Sequence, residues 1–314
     1  MHAFEAVCRK NAPPAQAGRP SHEVGTRSMR MQCTPNQVGE FGGPYEPAVR
    51  YRTSLGLPPL AFAVGDADAI EQYFMQQQRS GRSPFASVRV WPGLRDQTGT
   101  LANIRSRLNE IAGSVNKDDV VLLFFDGHGR VPPGQEMFYF MPYAERPTDE
   151  WSAPLDERDV GLSSAILAEA LRRILSHRIV IAIDACESGG AVESLAKVGA
   201  AKLAMDRRVD SSPSVPSGEP SANETGVFVL AAATPIQSAY EPAPSDAQGI
   251  QHGPFTTSFL QSLQTATESE GGVLMSTVMS VLPDRRSALA ATAGVKQTVV
   301  GAVSGTADFF IARH

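Results

Sequence analysis

The segment RIVIAIDACESGG, residues 178–190, changes character near its middle. After Arg178 its first half is an unbroken apolar run, the pattern of a strand that is buried on both faces of a parallel sheet. Its second half places Asp184 and Cys186 directly after that strand and ends in two glycines. Ligands of α/β proteins bind beyond the carboxyl ends of the strands, so this one segment predicts both a fold class and the place of a site.

Similar strands alternate with helical patterns along the chain. DVVLLFF (119–125) and GVFVLAAA (226–233) are two further buried strands, and SVRVW (87–91) is another strand. Thr100 and Ser163 are suitable N-caps for two helices whose apolar side chains recur every three or four residues. Three more helical patterns cover residues 66–78, 255–264 and 273–282. This alternation predicts an α/β fold, a three-layer sandwich with a mainly parallel central sheet flanked by helices.

Two stretches lack any such period. Residues 1–50 carry six prolines and no sustained period of 2 or 3.6, which predicts a poorly structured N-terminal extension before a domain at 51–314. Residues 191–225 begin with a helix-compatible pattern and end in a segment rich in Ser, Pro and Gly. We therefore expect residues 191–225 to form a flexible linker between two parts of the domain.

Composition excludes several classes of function. The 314-residue chain has a formal net charge of −5, which argues against nucleic acid as a partner. The longest apolar runs have the length of strands, so no membrane segment is predicted. The N-terminal sequence does not resemble a secretory signal, which favours a cytoplasmic location. Three cysteines without a Cys-x-x-Cys pair indicate neither a disulfide framework nor a zinc site, and no metal ligands are assigned.

Two of the buried strands end in reactive side chains. His128 follows VVLLFF within DGHGR, and Cys186 follows IVIAI within DACESGG. If the two strands are neighbours, both side chains emerge at the same edge of the sheet, where a histidine can accept the proton of a thiol and later protonate a leaving amine. The N–H groups of Cys186 and of Gly127 or Gly129 are candidates for stabilising an oxyanion.

Each of these residues also has an ordinary structural interpretation. A cysteine after a strand is usually a small buried apolar side chain, and a histidine in a glycine-rich turn is usually structural. The glycines would then only permit tight turns. Finding both residues after buried strands of one chain favours the catalytic pair His128 and Cys186.

LLFFDGHG (122–129) and IAIDACESGG (181–190) resemble the His-Gly and Asp-x-Cys-x-Ser-Gly signatures of caspase-like cysteine peptidases, above all metacaspases and bacterial orthocaspases. The resemblance extends over about residues 51–314. Glu187 stands where many metacaspases have His, and we expect its side chain to point outward. The family's first apolar strand is not found before Tyr51, so residues 1–50 either contain it or lack it. Weaker similarity lies in four flanking segments, LAFAVGDADAIEQYF (60–74), FVLAAATPIQSAYE (228–241), HGPFTTSFLQSL (252–263) and GTADFFIAR (305–313).

The resemblance implies a cysteine endopeptidase that cleaves after Arg or Lys. Asp66 and Asp184 match family residues that line the pocket for the side chain before the cleaved bond, and Asp126 matches a Ser at that pocket in many relatives. Several carboxylates in one pocket would select a basic side chain and repel an acidic one. The partners implied are protein or peptide substrates, and the oligomeric state stays open.

Self-processing and calcium binding are two further implications of the resemblance. Caspase-like enzymes are often cut in the linker, where the basic residues are Lys197, Lys202, Arg207 and Arg208.

No cofactor is required for the proposed chemistry. Calcium is a further implication, with ligands in the acidic segment that contains Glu145, Asp149, Glu150, Asp156, Glu157 and Asp159, although this segment lacks EF-hand spacing and would otherwise be a solvated loop.

Two alternatives belong to other functional classes. A non-catalytic module with the same fold could act as a scaffold or regulator, although the intact His and Cys speak against it. A nucleotide- or flavin-binding α/β domain would need a glycine-rich phosphate loop that opens a helix, and no such loop follows these strands.

Overall fold

The structure is a computed structural model that describes residues 2–9, 57, 60–143, 157–209, 226–239, 252–292, 297–305 and 308–314. Residues 2–9, 157, 205–209 and 287–292 are described by their backbone alone.

A six-stranded sheet with the order β10-β8-β7-β3-β1-β2 forms the centre of the fold. Its strands are β1 His2–Arg9, β2 Ser87–Arg95, β3 Val120–Asp126, β7 Arg178–Asp184, β8 Gly226–Ala231 and β10 Val300–Gly305. β3, β7 and β8 are parallel neighbours, whereas β1 and β10 run antiparallel to the strands they pair with. The short strands β4 Gly129–Arg130, β5 Tyr139–Phe140 and β6 Leu162–Ser163 form one small sheet, and β9 Val273–Leu274 pairs with β11 Phe310–Ala312 in another.

Seven α-helices belong to the described ranges: α1 Ala63–Arg79, α2 Leu101–Ser114, α3 Glu157–Val160, α4 Ser164–Arg173, α5 Gly189–Val209, α6 Pro254–Thr265 and α7 Met275–Thr292. The hydroxyls of Thr100 and Ser163 accept hydrogen bonds from Asn103 and Ile166 at the starts of α2 and α4, as the sequence predicts. No helix in these ranges has the length and apolar character needed to cross a bilayer.

The central strands β3 and β7 are apolar at every position except their ends because both faces of the sheet are covered. On one face Val121, Leu123 and Phe125 of β3 pack with buried side chains of α2, α4 and α5. On the other face Leu122 and Phe124 pack with side chains of α1, α6 and α7. Successive side chains of a strand point to opposite faces, so a continuous apolar run supplies two cores. The predicted three-layer α/β sandwich with a mainly parallel sheet is confirmed.

One strand of the sheet comes from the region that the sequence leaves without structure. Residues 2–9 form β1, which pairs antiparallel with β2 on one side and with β3 on the other. The interpretation of residues 1–50 as poorly structured is therefore wrong for 2–9. The short run HAFEAVCR forms a strand because it can hydrogen-bond to β2 on one side and to β3 on the other. The sequence alone does not show that these two strands lie beside it.

The linker prediction also needs correction. Residues 189–209 form α5, and Ala191 and Leu195 are fully buried against the sheet. The flexible linker predicted for 191–225 is therefore wrong for 191–209, where the apolar side of the helix packs into the core. Residues 210–225 lie outside the described ranges. The segment 305–313 supplies β11, which pairs with β9 in the small sheet. The strand at the edge of the central sheet is β10, which ends where this segment begins.

Candidate active site

β3 and β7 bring His128 and Cys186 to the same edge of the sheet. The two strands are parallel and pair in register up to Asp126 opposite Asp184. His128 and Cys186 each lie two residues beyond this last pair. Together with Gly127 they line one narrow pocket of about 40 Å³. The pocket is completed by Leu60, Asp66, Asp126, Asp184, Ala239 and Gly253.

The two turns that carry these side chains are packed directly on each other. The Gly127 N–H donates to the Asp184 carbonyl at 3.0 Å. A Cβ at Gly129 would lie 2.5 Å from the Cys186 carbonyl oxygen, and a Cβ at Gly190 would lie 2.8 Å from Cγ2 of Val131. Glycines at 129 and 190 therefore allow main chain and side chain of one turn to touch the other.

These contacts revise the roles expected of the glycines. The N–H of Gly127 already donates to the Asp184 carbonyl, which makes it the weakest of the three candidate oxyanion donors. The N–H groups of Gly129 and Cys186 stay predictions. A Cβ at Gly189 would lie 2.8 Å from the Ala233 carbonyl oxygen. The glycine at 189 therefore allows the loop after β8 to pack closely against this turn.

The Cys186 thiol is half-buried, and its Sγ lies 3.8 Å from the carbonyl oxygen of Ala239. Burial raises the pKa of Cys186 because water no longer solvates the thiolate, and the carboxylates of Glu187 and Asp184 raise it further. The Ser238 hydroxyl counteracts part of this rise in pKa. Burial and the two carboxylates thus favour the neutral thiol over the thiolate, and a thiol needs a base before it can attack.

Three carboxylates meet beside the thiol. Asp66, Asp126 and Asp184 are 1%, 6% and 9% exposed, and one carboxylate oxygen of each lies within 4.8 Å of the other two. Asp66 belongs to the first turn of α1, whereas Asp126 and Asp184 end β3 and β7. The structure thus brings together the three acidic residues named from the sequence. Among the described residues this cluster could hold a cation, either a metal ion or a basic side chain.

Residues at the start of α6 hold two of these carboxylates in place. The Gly253 N–H donates to both oxygens of Asp66, at 3.1 and 2.9 Å, and His252 Nδ1 lies 3.0 Å from Oδ1 of the same residue. Thr256 Oγ1 donates to Asp184 Oδ2 at 3.3 Å. The sequence marked 252–263 only as a segment of weaker family similarity and assigned no role to His252 or Thr256, since only the fold brings α6 to this edge.

A buried arginine interacts electrostatically with one of these carboxylates, Asp184. Arg286 of α7 is 0% exposed and hydrogen-bonds the Gln297 side-chain oxygen, whose amide donates to the Ala232 carbonyl at 2.7 Å. Burial lowers the pKa of the Arg286 guanidinium, and the Asp184 carboxylate opposes that decrease. The cation partly offsets the negative charge of the pocket. Nothing in the sequence of α7 distinguishes Arg286 from its neighbour Arg285.

The basic residues proposed for self-cleavage all lie within α5. Lys197 is exposed and paired with Glu193 at 2.6 Å, whereas Lys202 is only 9% exposed. Arg207 and Arg208 belong to the last turn of the helix, and only their backbone is described. Of the acidic residues considered for calcium, Asp159 is exposed in α3 and Glu157 begins that helix. Glu145, Asp149, Glu150 and Asp156 lie outside the described ranges.

Comparison with known proteins identifies one family model and a number of solved structures that are similar to this chain. A family model described as "Caspase domain" matches residues 49–308. No curated protein matches the sequence significantly. Protein GSU0716 from Geobacter sulfurreducens is 15% identical, with a TM-score of 0.46 over 85% of this chain and 93% of that one. Caspase-1 from Spodoptera frugiperda is 12% identical, with a TM-score of 0.43 over 82% of this chain and 86% of the other.

Proposed function

This chain belongs to the caspase domain family, and from that premise we propose that it is a cysteine endopeptidase that cleaves peptide bonds after Arg or Lys. Cys186 is the nucleophile, and His128 is the general base and acid. The observation that carries the proposal is the shared pocket: His128 and Cys186 line it together with three buried carboxylates.

The raised pKa of Cys186 determines how the reaction begins. His128 removes the thiol proton as Sγ attacks the carbonyl carbon of the substrate, because the thiolate is scarce beforehand. The N–H of Cys186, with that of Gly129 as the second candidate donor, stabilises the oxyanion of the tetrahedral intermediate. The His128 imidazolium then protonates the leaving amine, and a water molecule activated by His128 hydrolyses the thioester. No cofactor takes part in these steps.

Specificity for a basic side chain follows from the carboxylate cluster. A guanidinium offers five N–H donors and an ammonium three, so either satisfies carboxylate oxygens that are shielded from water. An acidic side chain would meet Asp66, Asp126 and Asp184 at close range and be repelled. The pocket volume of about 40 Å³ accommodates only a few waters, so the charged head of the substrate would fill it.

Self-processing is a further part of this proposal, and α5 narrows the choice of bond. A protease binds its substrate extended, so a bond within a packed helix must first be released. Lys202 is the poorest candidate because it is buried in the middle of α5. Arg207 and Arg208 are the best, because the last turn of a helix frays most easily.

The raised pKa of Cys186 also favours a second candidate, a non-catalytic module that retains the fold as a scaffold. The two functions differ in whether Cys186 reacts with a substrate-like electrophile. An arginine chloromethylketone should label Cys186 in the folded enzyme, whereas a scaffold would remain unlabelled.

The deciding experiment is a cleavage profile on a peptide library. We expect the wild type to cut after Arg and Lys, Cys186→Ala to be inactive and fully folded, and His128→Ala to be about 10²–10⁴-fold slower. Activity remaining in Cys186→Ala would refute the assignment of the nucleophile. Cleavage after Asp would refute the specificity.

A further inference from the structure

Glu187, the residue after the nucleophile, has an unusual backbone conformation. Its φ is 56°, in the left-handed region that favours glycine. Its N–H donates to the Gln237 carbonyl at 2.7 Å, and its carbonyl accepts from Gly190 at 3.0 Å. The first bond attaches the turn to the loop after β8, and the second lies within the turn that leads into α5.

The side chain of Glu187 is directed to the other catalytic turn. Its Oε2 accepts a hydrogen bond from the Val131 N–H at 2.5 Å, across 56 residues of sequence. The sequence-based expectation that this side chain points outward is therefore wrong. Val131 follows β4 and lies three residues after His128, while the His128 carbonyl accepts from Met141 at 2.9 Å. The Glu187 carboxylate thus binds the main chain of the short segment 128–131, which carries His128 and is itself hydrogen-bonded to Met141.

A carboxylate at position 187 disfavours ionisation of the Cys186 thiol. Its charge adds to the rise in the pKa of Cys186, and a left-handed non-glycine residue is strained. Strain of this kind persists where the surrounding structure fixes the backbone conformation. At Glu187 three hydrogen bonds fix it.

We propose that Glu187 is a positioning residue that holds the Cys186 turn against the His128 turn through its bond to the Val131 N–H. This inference rests on the proposed peptidase function. Gly129 and Gly190 provide close packing between the turns, and the Gly127 N–H joins them through the Asp184 carbonyl at the ends of β3 and β7. The Val131 bond to Glu187 joins them a second time, on the other side of His128. A charge-assisted hydrogen bond adds direction and sets the distance between nucleophile and base.

Two variants separate the hydrogen bond from the charge. Glu187→Ala removes both, whereas Glu187→Gln keeps an oxygen that can accept from Val131 and removes only the charge. Glu193→Ala is the matched control, because Glu193 is a highly exposed carboxylate near the start of α5 whose partner is Lys197.

The primary measurement is amide-resolved hydrogen exchange, which needs no activity. In Glu187→Ala the Val131 amide should exchange at least about tenfold faster than in the wild type, and Glu187→Gln should restore most of the protection. Glu193→Ala should match the wild type. Unchanged Val131 exchange in Glu187→Ala would overturn the inference.

Peptide kinetics test the positioning role itself. Glu187→Ala should lower kcat about 10–100-fold with little change in KM, since the carboxylate pocket is untouched and only the geometry of attack suffers. Glu187→Gln should recover most of the lost kcat. A fall in kcat that is equal for the Gln and Ala variants would overturn the hydrogen-bond explanation.

The pH dependence of Cys186 alkylation adds a readout of the Glu187 charge. Burial raises the pKa of Cys186, the carboxylates of Glu187 and Asp184 raise it further, and His128, Asp66 and Asp126 line the same pocket. Both variants should therefore shift the alkylation midpoint of Cys186 to lower pH, and an unshifted midpoint counts against the proximity of the charge. If the wild type cleaves no peptide, the peptidase proposal fails, while Val131 exchange still decides whether Glu187 joins the turns.

Discussion

Gly129 lies against the main chain of Cys186, so that a Cβ at position 129 would be 2.5 Å from the Cys186 carbonyl oxygen. The same atom would lie 2.6 Å from the Phe138 ring and 2.9 Å from the Cβ of Ala185. The turn that carries His128 therefore packs on the turn that carries Cys186 only because residue 129 has no side chain.

Gly129→Ala should damage activity and stability together. The added methyl group must displace main chain, which typically costs about 1–3 kcal/mol of the free energy of unfolding. The resulting displacement of Cys186 should lower kcat by about 100-fold. Thermal unfolding and peptide kinetics measure the two effects. Gly113→Ala is the control: Gly113 is exposed near the end of α2 with nothing within 4 Å of the new methyl group, so this variant should be equally active and slightly more stable.

Alkylation of Cys186 should become fast only at high pH. Burial and the nearby carboxylates raise the pKa of Cys186, so the thiol stays neutral until the pH exceeds the usual value of about 8.5. Iodoacetamide labelling of the Cys186 peptide, followed by mass spectrometry, gives the midpoint free of signals from Cys8 and Cys33. The same peptide in urea should show an ordinary midpoint. A native midpoint below the urea value would instead indicate a preformed thiolate.

Removing a pocket carboxylate should weaken the preference for Arg. Asp184→Asn and Asp66→Asn each delete a charge that faces the substrate guanidinium, a loss of about 2–5 kcal/mol for buried charged pairs. The ratio of kcat/KM for a peptide with Arg to that with uncharged citrulline should fall at least about 30-fold in each variant. Asp68→Asn is the control on α1, since Asp68 pairs with Arg95 outside the pocket. An unchanged ratio in both pocket variants contradicts the specificity model.

Self-cleavage should occur at the end of α5. Purified wild type should split after Arg207 or Arg208 into fragments that stay associated, because the strands on either side of the cut belong to one sheet. Cys186→Ala should remain intact under the same conditions. Mass spectrometry of the new termini locates the bond, and a cut after Lys202 would show that α5 unfolds before processing. Efficient peptide cleavage by an uncut wild type would refute an activating role for processing.

Several parts of the fold follow from sequence patterns alone. The runs at 119–125 and 178–184 predicted strands with both faces covered, because each is short and apolar at every position except at its ends. Thr100 and Ser163 marked the starts of two helices through their capping hydroxyls. His128 and Cys186 could be paired in advance because parallel neighbouring strands end at the same edge of a sheet.

What sequence by itself determined was therefore local: strand and helix identity, and the chemistry placed after each strand. Tertiary structure decided the rest, because it depends on which segments meet. Only the fold brings the start of α6 to Asp66 and Asp184, gives β1 two neighbours to pair with, and buries one side of α5. The fold also directs the Glu187 side chain inward. Its carboxylate binds the Val131 N–H, which is 56 residues away in the sequence and becomes a neighbour only when the chain folds.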